Sequence, residues 1–113
     1  MDYQKRKNII LSASGEKKPQ LVLKSAKVVN VFTEELNETD VAISDGYIVG
    51  LGEYEGDIEV DLKGCFICPG FIDGHMHLES SMLVPGEFER ASLPGGTTAV
   101  VADPHEIANV AGT

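Results

Sequence analysis

The most constraining feature of the sequence is the stretch 69–79, where an apolar segment runs directly into a cluster of potential metal ligands. The segment 65–72 is short and apolar, which is typical of a buried strand. Side chains alternate between the faces of a strand, so Asp73, His75 and His77 are expected to share one face. The two imidazoles would then lie about 6.6 Å apart, close enough to bind one divalent metal ion. The stretch therefore predicts a strand that carries a metal site.

The acidic residues on either side of His75 and His77 are suited to orienting the imidazoles or to contacting a substrate. Asp73 is expected to lie behind the metal ligands and to orient one imidazole through a hydrogen bond. Glu79, just past the strand, is expected either to contact a substrate or to hydrogen-bond the loop backbone. A His-x-His pair alone is weak evidence, and the alternative is two half-buried strand histidines with no metal.

Composition limits the class of partner. The chain has 113 residues, of which 42% are hydrophobic and 24% charged, as in an ordinary globular protein. Its net charge is −9, and residues 21–113 carry sixteen of the eighteen acidic side chains. Such an acidic body argues against nucleic acid as a partner, because phosphate backbones require a basic face. No apolar run has the length of a membrane span or a signal peptide, so a cytoplasmic location is predicted.

Two cysteines, Cys65 and Cys68, form a Cys-x-x-Cys pattern that is also found in redox and zinc sites. On an extended strand, residues three apart face opposite sides, with Cα atoms about 10 Å apart, too far for a disulfide. We therefore expect both to be small buried hydrophobic residues.

The order of elements predicts three regions. Residues 1–20 are predicted to form a helical or irregular segment, which Gly15 and Pro19 terminate. Residues 21–70 are predicted to be β-rich. The predicted elements of this region are a strand at 21–32, a loop at 33–40, a hairpin at 40–51 that turns at Asp45-Gly46, and short strands at 58–62 and 65–68.

The third region, residues 71–113, has a different pattern. A strand at 71–77, a helix that begins near Pro85 and an apolar strand at 97–102 form a βαβ unit, and a further helix is predicted from about Ile107. Chemically active residues follow both strands, at the ends where α/β barrels carry their active sites. Only 43 residues are available for this region, whereas such a barrel needs about 200 or more. The sequence is therefore expected to be a piece of a larger protein.

Three motifs resemble a known family. The stretch Pro-Gly-Phe-Ile-Asp-x-His-x-His at 69–77 resembles the start of the metal-dependent amidohydrolase superfamily. Two more specific stretches, 77–82 (His-Leu-Glu-Ser-Ser-Met) and 102–110 (Ala-Asp-Pro-His-Glu-Ile-Ala-Asn-Val), resemble the adenine deaminase family. The likeness runs from about Leu21 to Thr113 and covers the N-terminal part of a family member.

The resemblance implies a fold class and an activity. The fold would be α/β with a β-rich N-terminal part: a fragment of a composite β-sandwich (21–70), then the first βαβ unit of a TIM-like (β/α)8 barrel (71–113). The activity of the whole protein would be hydrolytic deamination of adenine to hypoxanthine and ammonia by a metal-activated hydroxide. The implied cofactor is a divalent metal, Mn²⁺ first with Fe²⁺ or Zn²⁺ as alternatives, in a binuclear site that residues outside this chain complete. The implied partners are adenine and a second copy of the protein in a homodimer that serves purine salvage.

The resemblance also implies roles for individual residues. His75 and His77 match the metal ligands of the first barrel strand, with Asp73 behind them. The candidates for acid–base catalysis are Glu79, His105 and Glu106, and those for substrate binding are Ser80, Ser81 and Asp103. Asp103 has a structural alternative as the cap of a following helix.

Three alternatives compete with this interpretation, and the sequence excludes the second of them. Another amidohydrolase, of the dihydroorotase, hydantoinase or sugar-amide deacetylase type, would share His75 and His77 but is not expected to carry the stretch 103–109. A cytidine-deaminase-type zinc site needs a Cys-x-x-Cys after His77-Leu78-Glu79, and none follows. The chain alone is expected to be an inactive fragment, because a catalytic metal site normally has at least three protein ligands.

Overall fold

A computed structural model describes residues 1–103, 105, 106 and 108 of the chain. The chain divides into two compact units, Met1–Cys68 and Pro69–Thr113.

The first unit begins with helix α1, Tyr3–Ala13. The carboxylate of Asp2 caps it by accepting a hydrogen bond from the backbone N–H of Gln4 at 2.6 Å. Ser12, on the last turn of α1, is buried and accepts a hydrogen bond from the hydroxyl of Ser44 at 2.9 Å. This bond fastens α1 to the end of a strand in the adjoining sheet.

That sheet contains five strands. They are β1 (Leu21–Asn30), β2 (Glu35–Ser44), β3 (Tyr47–Leu51), β4 (Ile58–Asp61) and β5 (Phe66–Ile67). The central strand β1 pairs antiparallel with β2 and parallel with both β4 and β5, and β2 pairs antiparallel with β3. The core of the unit lies on β1 and β2, whose buried hydrophobic side chains are Val22, Ala26, Val41 and Ala42.

The β2–β3 hairpin turns where the sequence predicts it. Asp45 and Gly46 have φ values of 52° and 79°, the left-handed pair that a tight two-residue hairpin requires. The prediction of a loop at 33–40 is wrong in most of its length, because β2 already begins at Glu35. Its acidic first half is held in the sheet by backbone pairing with β1, which overrides the polar composition.

A second correction concerns the cysteines. Cys65 and Cys68 are both exposed, so the prediction that they are buried is wrong. The strand between them, β5, pairs with β1 at Phe66 and Ile67, and the carbonyl of Cys65 accepts a hydrogen bond from the N–H of Lys27 in β1 at 3.0 Å.

The second unit is a strand–helix–strand arrangement. It consists of β6 (Phe71–Met76), a 3₁₀ turn (Leu78–Ser81), α2 (Pro85–Ser92), a second 3₁₀ turn (Leu93–Gly95) and β7 (Thr97–Ala102). The two strands are parallel neighbours, so their carboxyl ends lie at one edge, where Met76 pairs with Ala102. The helix predicted from about Ile107 begins at a residue outside those described. None of the helices in the described part of the chain is long and apolar enough to cross a membrane.

Candidate metal centre

The end of β6 brings two imidazoles together. His75 belongs to β6, and His77 follows the strand with a backbone that is still extended (φ −106°, ψ 107°). The ring centroids lie 5.0 Å apart and the ring planes are 85° apart, an edge-to-face contact. The two rings therefore meet, as the alternation of side chains along a strand predicts. Their role as metal ligands stays a prediction.

The 3₁₀ turn after β6 folds Glu79 back toward these rings. Leu78 anchors the turn and is only 8% exposed. The Glu79 side chain is 12% exposed, and its Oε1 lies 3.4 Å from Nδ1 of His77. Both carboxylate oxygens are buried, yet neither has a hydrogen-bond partner among the described residues. A buried carboxylate in this condition is costly unless another charge compensates it.

His105 reaches the same edge from β7. Its ring centroid lies 5.9 Å from that of His77, with the ring planes 88° apart. Its Nδ1 lies 3.3 Å from Oδ2 of Asp103. The charge of the Asp103 carboxylate, followed by its hydrogen bond, raises the pKa of the His105 imidazole above its ordinary value. Glu79 and Glu106 add smaller contributions in the same direction.

Three of these side chains form a group that we call the His-Glu-His cluster: His77, Glu79 and His105. Each offers one ligand atom, and these atoms all lie within 4.8 Å of one another. Imidazole nitrogen and carboxylate oxygen are donors suited to zinc, manganese and iron. The unpaired oxygens of Glu79 supply the charge that a cation would neutralise, so the residues fit a divalent metal.

This grouping differs from the one that the sequence predicts. The predicted ligands were His75 and His77, with Glu79 and His105 in acid–base roles, whereas His75 lies outside the cluster. The signal that could have found the cluster is the parallel βαβ pattern, since it places residues after β6 and after β7 at the same edge.

The two predicted aspartates both make local contacts. Oδ1 of Asp73 accepts a hydrogen bond from the backbone N–H of His75 at 3.0 Å. Oδ2 of Asp103 lies 3.3 Å from Nδ1 of His105. The predicted roles of Asp73 behind the metal ligands and of Asp103 at the substrate stay predictions.

The remaining predicted residues lie in or near the same loops. The hydroxyl of Ser81 donates to the carbonyl of Leu78 and accepts from the N–H of Leu83, so it stabilises the turn. The side chains of Ser80 and Glu106 are exposed. Their predicted roles, in substrate binding for the serines and in acid–base chemistry for Glu106, stay predictions.

A family profile and curated relatives both match this chain. The Amidohydrolase family profile matches residues 66–113. The adenine deaminase of Geobacillus kaustophilus is 57% identical over 105 residues, which cover 93% of this chain and 18% of that protein. The adenine deaminase of Bacillus licheniformis is 58% identical over 101 residues, covering 89% of this chain and 18% of the relative. The chain thus spans about a fifth of the length of the curated relatives it matches.

Solved structures agree on the fold. The L-hydantoinase of Arthrobacter aurescens superposes with a TM-score of 0.59 at 20% identity, over 75% of this chain and 20% of that one. The N-acyl-D-glutamate deacylase of Bordetella bronchiseptica was solved with zinc and a phosphonate inhibitor. It superposes with a TM-score of 0.61 at 25% identity, over 76% of this chain and 19% of that one. Both likenesses show a sheet-rich α/β fold shared with amidohydrolases. Residues 66–113 match the Amidohydrolase family, and the chain is similar over most of its length to proteins named adenine deaminase, which confirms the resemblance in its motifs.

Proposed function

We propose that the whole protein of which this chain forms part is an adenine deaminase, which hydrolyses adenine to hypoxanthine and ammonia in purine salvage. The relatives named adenine deaminase support this proposal, because they match almost the entire chain at more than half identity. Such a match includes the residues at the ends of both β6 and β7, where the candidate site lies.

The observation that carries the proposal is the meeting of three imidazoles and one buried carboxylate at the carboxyl edge of two parallel strands. We propose that His75 and His77 hold a divalent metal there, manganese first and iron or zinc as alternatives, in a binuclear site that other parts of the protein complete. When bound, the metal supplies a water molecule whose pKa is lowered toward neutrality.

Deamination also needs a proton for the departing amino group, and a side chain within reach must deliver it. The sequence offers Glu79, His105 and Glu106 for this role. Ser80, Ser81 and Asp103 are proposed to position the purine. Asp103 raises the pKa of the His105 imidazole, which favours its protonated form and supports it as a proton donor.

The remaining parts of the proposal concern architecture. We propose that residues 1–20 form an N-terminal helical or irregular segment, that 21–70 contribute to a small β-sandwich, and that 71–113 begin a TIM-like barrel. The parallel β6–β7 pair and the two amidohydrolase structures support the barrel. The homodimer and the cytoplasmic location stay predictions.

The test is an ammonia-release assay on the full-length protein loaded with Mn²⁺. Adenine should release ammonia and yield hypoxanthine, and His77→Gln should reduce the rate by at least about 100-fold because a metal ligand is lost. Hydrolysis of a cyclic amide, such as a hydantoin, without ammonia release from adenine would contradict the proposal.

The isolated 113-residue chain provides a second measurement. With adenine and Mn²⁺ it should release no ammonia above background. Apolar side chains of its two-stranded sheet are exposed, including Ile72 (68%) and Val101 (58%), as expected for strands that normally have further neighbours. Turnover by this chain alone would show that its own residues suffice for catalysis.

A further inference from the structure

We propose that Ser81 is a positioning residue for the deamination, which acts through Glu79 and does not contact the substrate. Its hydroxyl stabilises the 3₁₀ turn Leu78–Ser81 and so holds the Glu79 carboxylate beside His77. The inference rests on the proposed function, which gives Glu79 a part in acid–base chemistry. It replaces the contact with the purine that the resemblance implies for Ser81.

The hydroxyl of Ser81 is already bonded to the backbone on both sides. A serine hydroxyl offers one donor and two acceptor positions. In Ser81 the donor is used on the carbonyl of Leu78, three residues earlier, and one acceptor position receives the N–H of Leu83 at 3.2 Å. The side chain is half-buried. While these bonds hold, the hydroxyl has no proton to donate to a purine nitrogen, and its contacts are those of a serine that stabilises a turn.

The backbone directly after the turn needs such support. Met82 has φ 57° and ψ 20°, in the left-handed region that disfavours a residue with a Cβ. Its side chain is 92% exposed, so packing within the described part of the chain does not impose this conformation. Strained conformations persist where surrounding contacts hold them, and they are frequent at functional sites. The Ser81 hydroxyl bonds to residues on both sides of Met82 and so provides this support.

The position of Glu79 depends on the same turn. Its carbonyl accepts the N–H of Met82 at 3.0 Å. Its carboxylate oxygens accept no hydrogen bond among the described residues, so the turn sets their position, with Oε1 3.4 Å from Nδ1 of His77. A proton-transfer group must stay within hydrogen-bond reach of the reacting atom. A looser turn should therefore slow the reaction without removing a group that binds the substrate.

The experiment combines steady-state kinetics of the full-length protein on adenine with hydrogen exchange at the amides of residues 79–83. Ser81→Ala should lower kcat about tenfold and leave KM within about twofold, because the lost hydroxyl acts on the transition state through Glu79. Exchange at these amides should accelerate in the same variant. Ser81→Thr keeps a hydroxyl and should retain both kcat and slow exchange.

Ser92→Ala is the matched control. The hydroxyl of Ser92 also donates to a carbonyl three residues earlier, that of Glu89 at 3.4 Å, but Ser92 lies on helix α2. The substitution therefore deletes the same kind of bond outside the 3₁₀ turn. Neither kcat nor exchange at residues 79–83 should change.

The proposal requires kcat and exchange to change together. If Ser81→Ala raises KM while kcat and exchange stay unchanged, Ser81 contacts the substrate and the proposal is overturned. A lower kcat with unchanged exchange overturns it as well, because the turn would then be intact. If Ser81→Ala does not fold, Ser81→Cys decides by the same criteria, since its thiol is a weaker donor and should give a smaller loss of kcat with a smaller acceleration of exchange.

Failure of the proposed function is a separate outcome. If the full-length parent releases no ammonia from adenine, the assignment of adenine deamination is wrong. The positioning of Glu79 by Ser81 then fails only if exchange at residues 79–83 is also unchanged in Ser81→Ala.

Discussion

Nδ1 of His77 lies 3.4 Å from Oε1 of Glu79, and this approach joins the end of β6 to the 3₁₀ turn that follows it. The two residues are brought together locally, by a turn that Leu78 anchors from its buried position. His105 arrives from the distant strand β7, through the parallel pairing of the two strands. The candidate site therefore depends on one local turn and one long-range pairing.

The first prediction concerns the proton affinity of His105. Asp103 is the main cause of its raised pKa, so Asp103→Asn should lower the midpoint of the His105 titration. Proton NMR of the metal-free chain, with the resonance assigned by comparison with His105→Gln, provides the measurement. An unchanged midpoint would show that the Asp103 carboxylate does not stay beside the His105 imidazole in solution.

The same pair has a consequence for stability against pH. A histidine whose pKa is raised by folding stabilises the protein fully below its unfolded pKa, and this contribution disappears as pH rises through the folded pKa. Asp103→Asn should therefore reduce stability at mildly acidic pH more than at alkaline pH. Equal losses at both pH values would contradict this assignment.

The second prediction concerns Asp40 in the first unit. Burial acts to raise the pKa of this carboxyl, but hydrogen bonds from the Lys24 ammonium and from the Ser25 N–H outweigh it and lower the pKa. The pKa of Lys24 is raised, with its hydrogen bond to Asp40 as the largest cause. The stabilisation by Asp40 is thus lost as pH falls through its folded pKa, and that by Lys24 as pH rises through its own.

The measurement is chemical unfolding of Asp40→Asn across pH. The variant should be less stable than the parent at neutral pH, and the difference should shrink toward strongly acidic pH. Lys24→Met is the companion variant. It should also be less stable than the parent at neutral pH, and this difference in stability should shrink toward strongly alkaline pH. A pH-independent loss in both variants would indicate that packing, not the ion pair, is responsible.

Local signals in the sequence predict the elements that position the site. The hairpin at Asp45-Gly46 follows from the demand for two positive φ values, and the contact of His75 with His77 follows from the two-residue period of a strand. In both cases a few neighbouring residues decide the geometry. Such features can be read without knowing what packs against them.

The features that sequence reasoning missed depend on partners distant in the chain. The first half of β2, from Glu35, is polar and is extended only because it pairs with β1. Cys65 and Cys68 are exposed although they flank an apolar strand, because burial depends on what packs against that strand. The unpaired burial of Glu79 likewise requires the turn to be seen in three dimensions, since no spacing rule marks it.

The third prediction tests the hairpin turn with two glycine substitutions. Gly46 has φ 79°, whereas Gly86 lies in helix α2 without a positive φ, and a Cβ added at either position meets no atom within 4 Å. Gly46→Ala should cost about 1–2 kcal/mol, because the left-handed region disfavours a Cβ. Gly86→Ala should gain about 0.5–1 kcal/mol, because alanine loses less entropy in a helix. Denaturant unfolding measures both, and a loss from both variants would contradict the conformational explanation.

The last prediction links the packing of Leu78 to the cluster. Leu78, which is 8% exposed, is the only buried hydrophobic residue in the described part of the second unit, and it holds the turn that carries Glu79. Leu78→Ala should cost about 2–4 kcal/mol, while Leu93→Ala, where the side chain is 45% exposed, should cost about 1 kcal/mol or less. Hydrogen exchange should accelerate at the amides of residues 79–82 in the first variant alone, because Leu78 holds that turn. If Leu78→Ala and Leu93→Ala lose the same stability and the amides of residues 79–82 exchange equally fast in both, the turn does not depend on Leu78, and the burial of Glu79 must be maintained by other contacts.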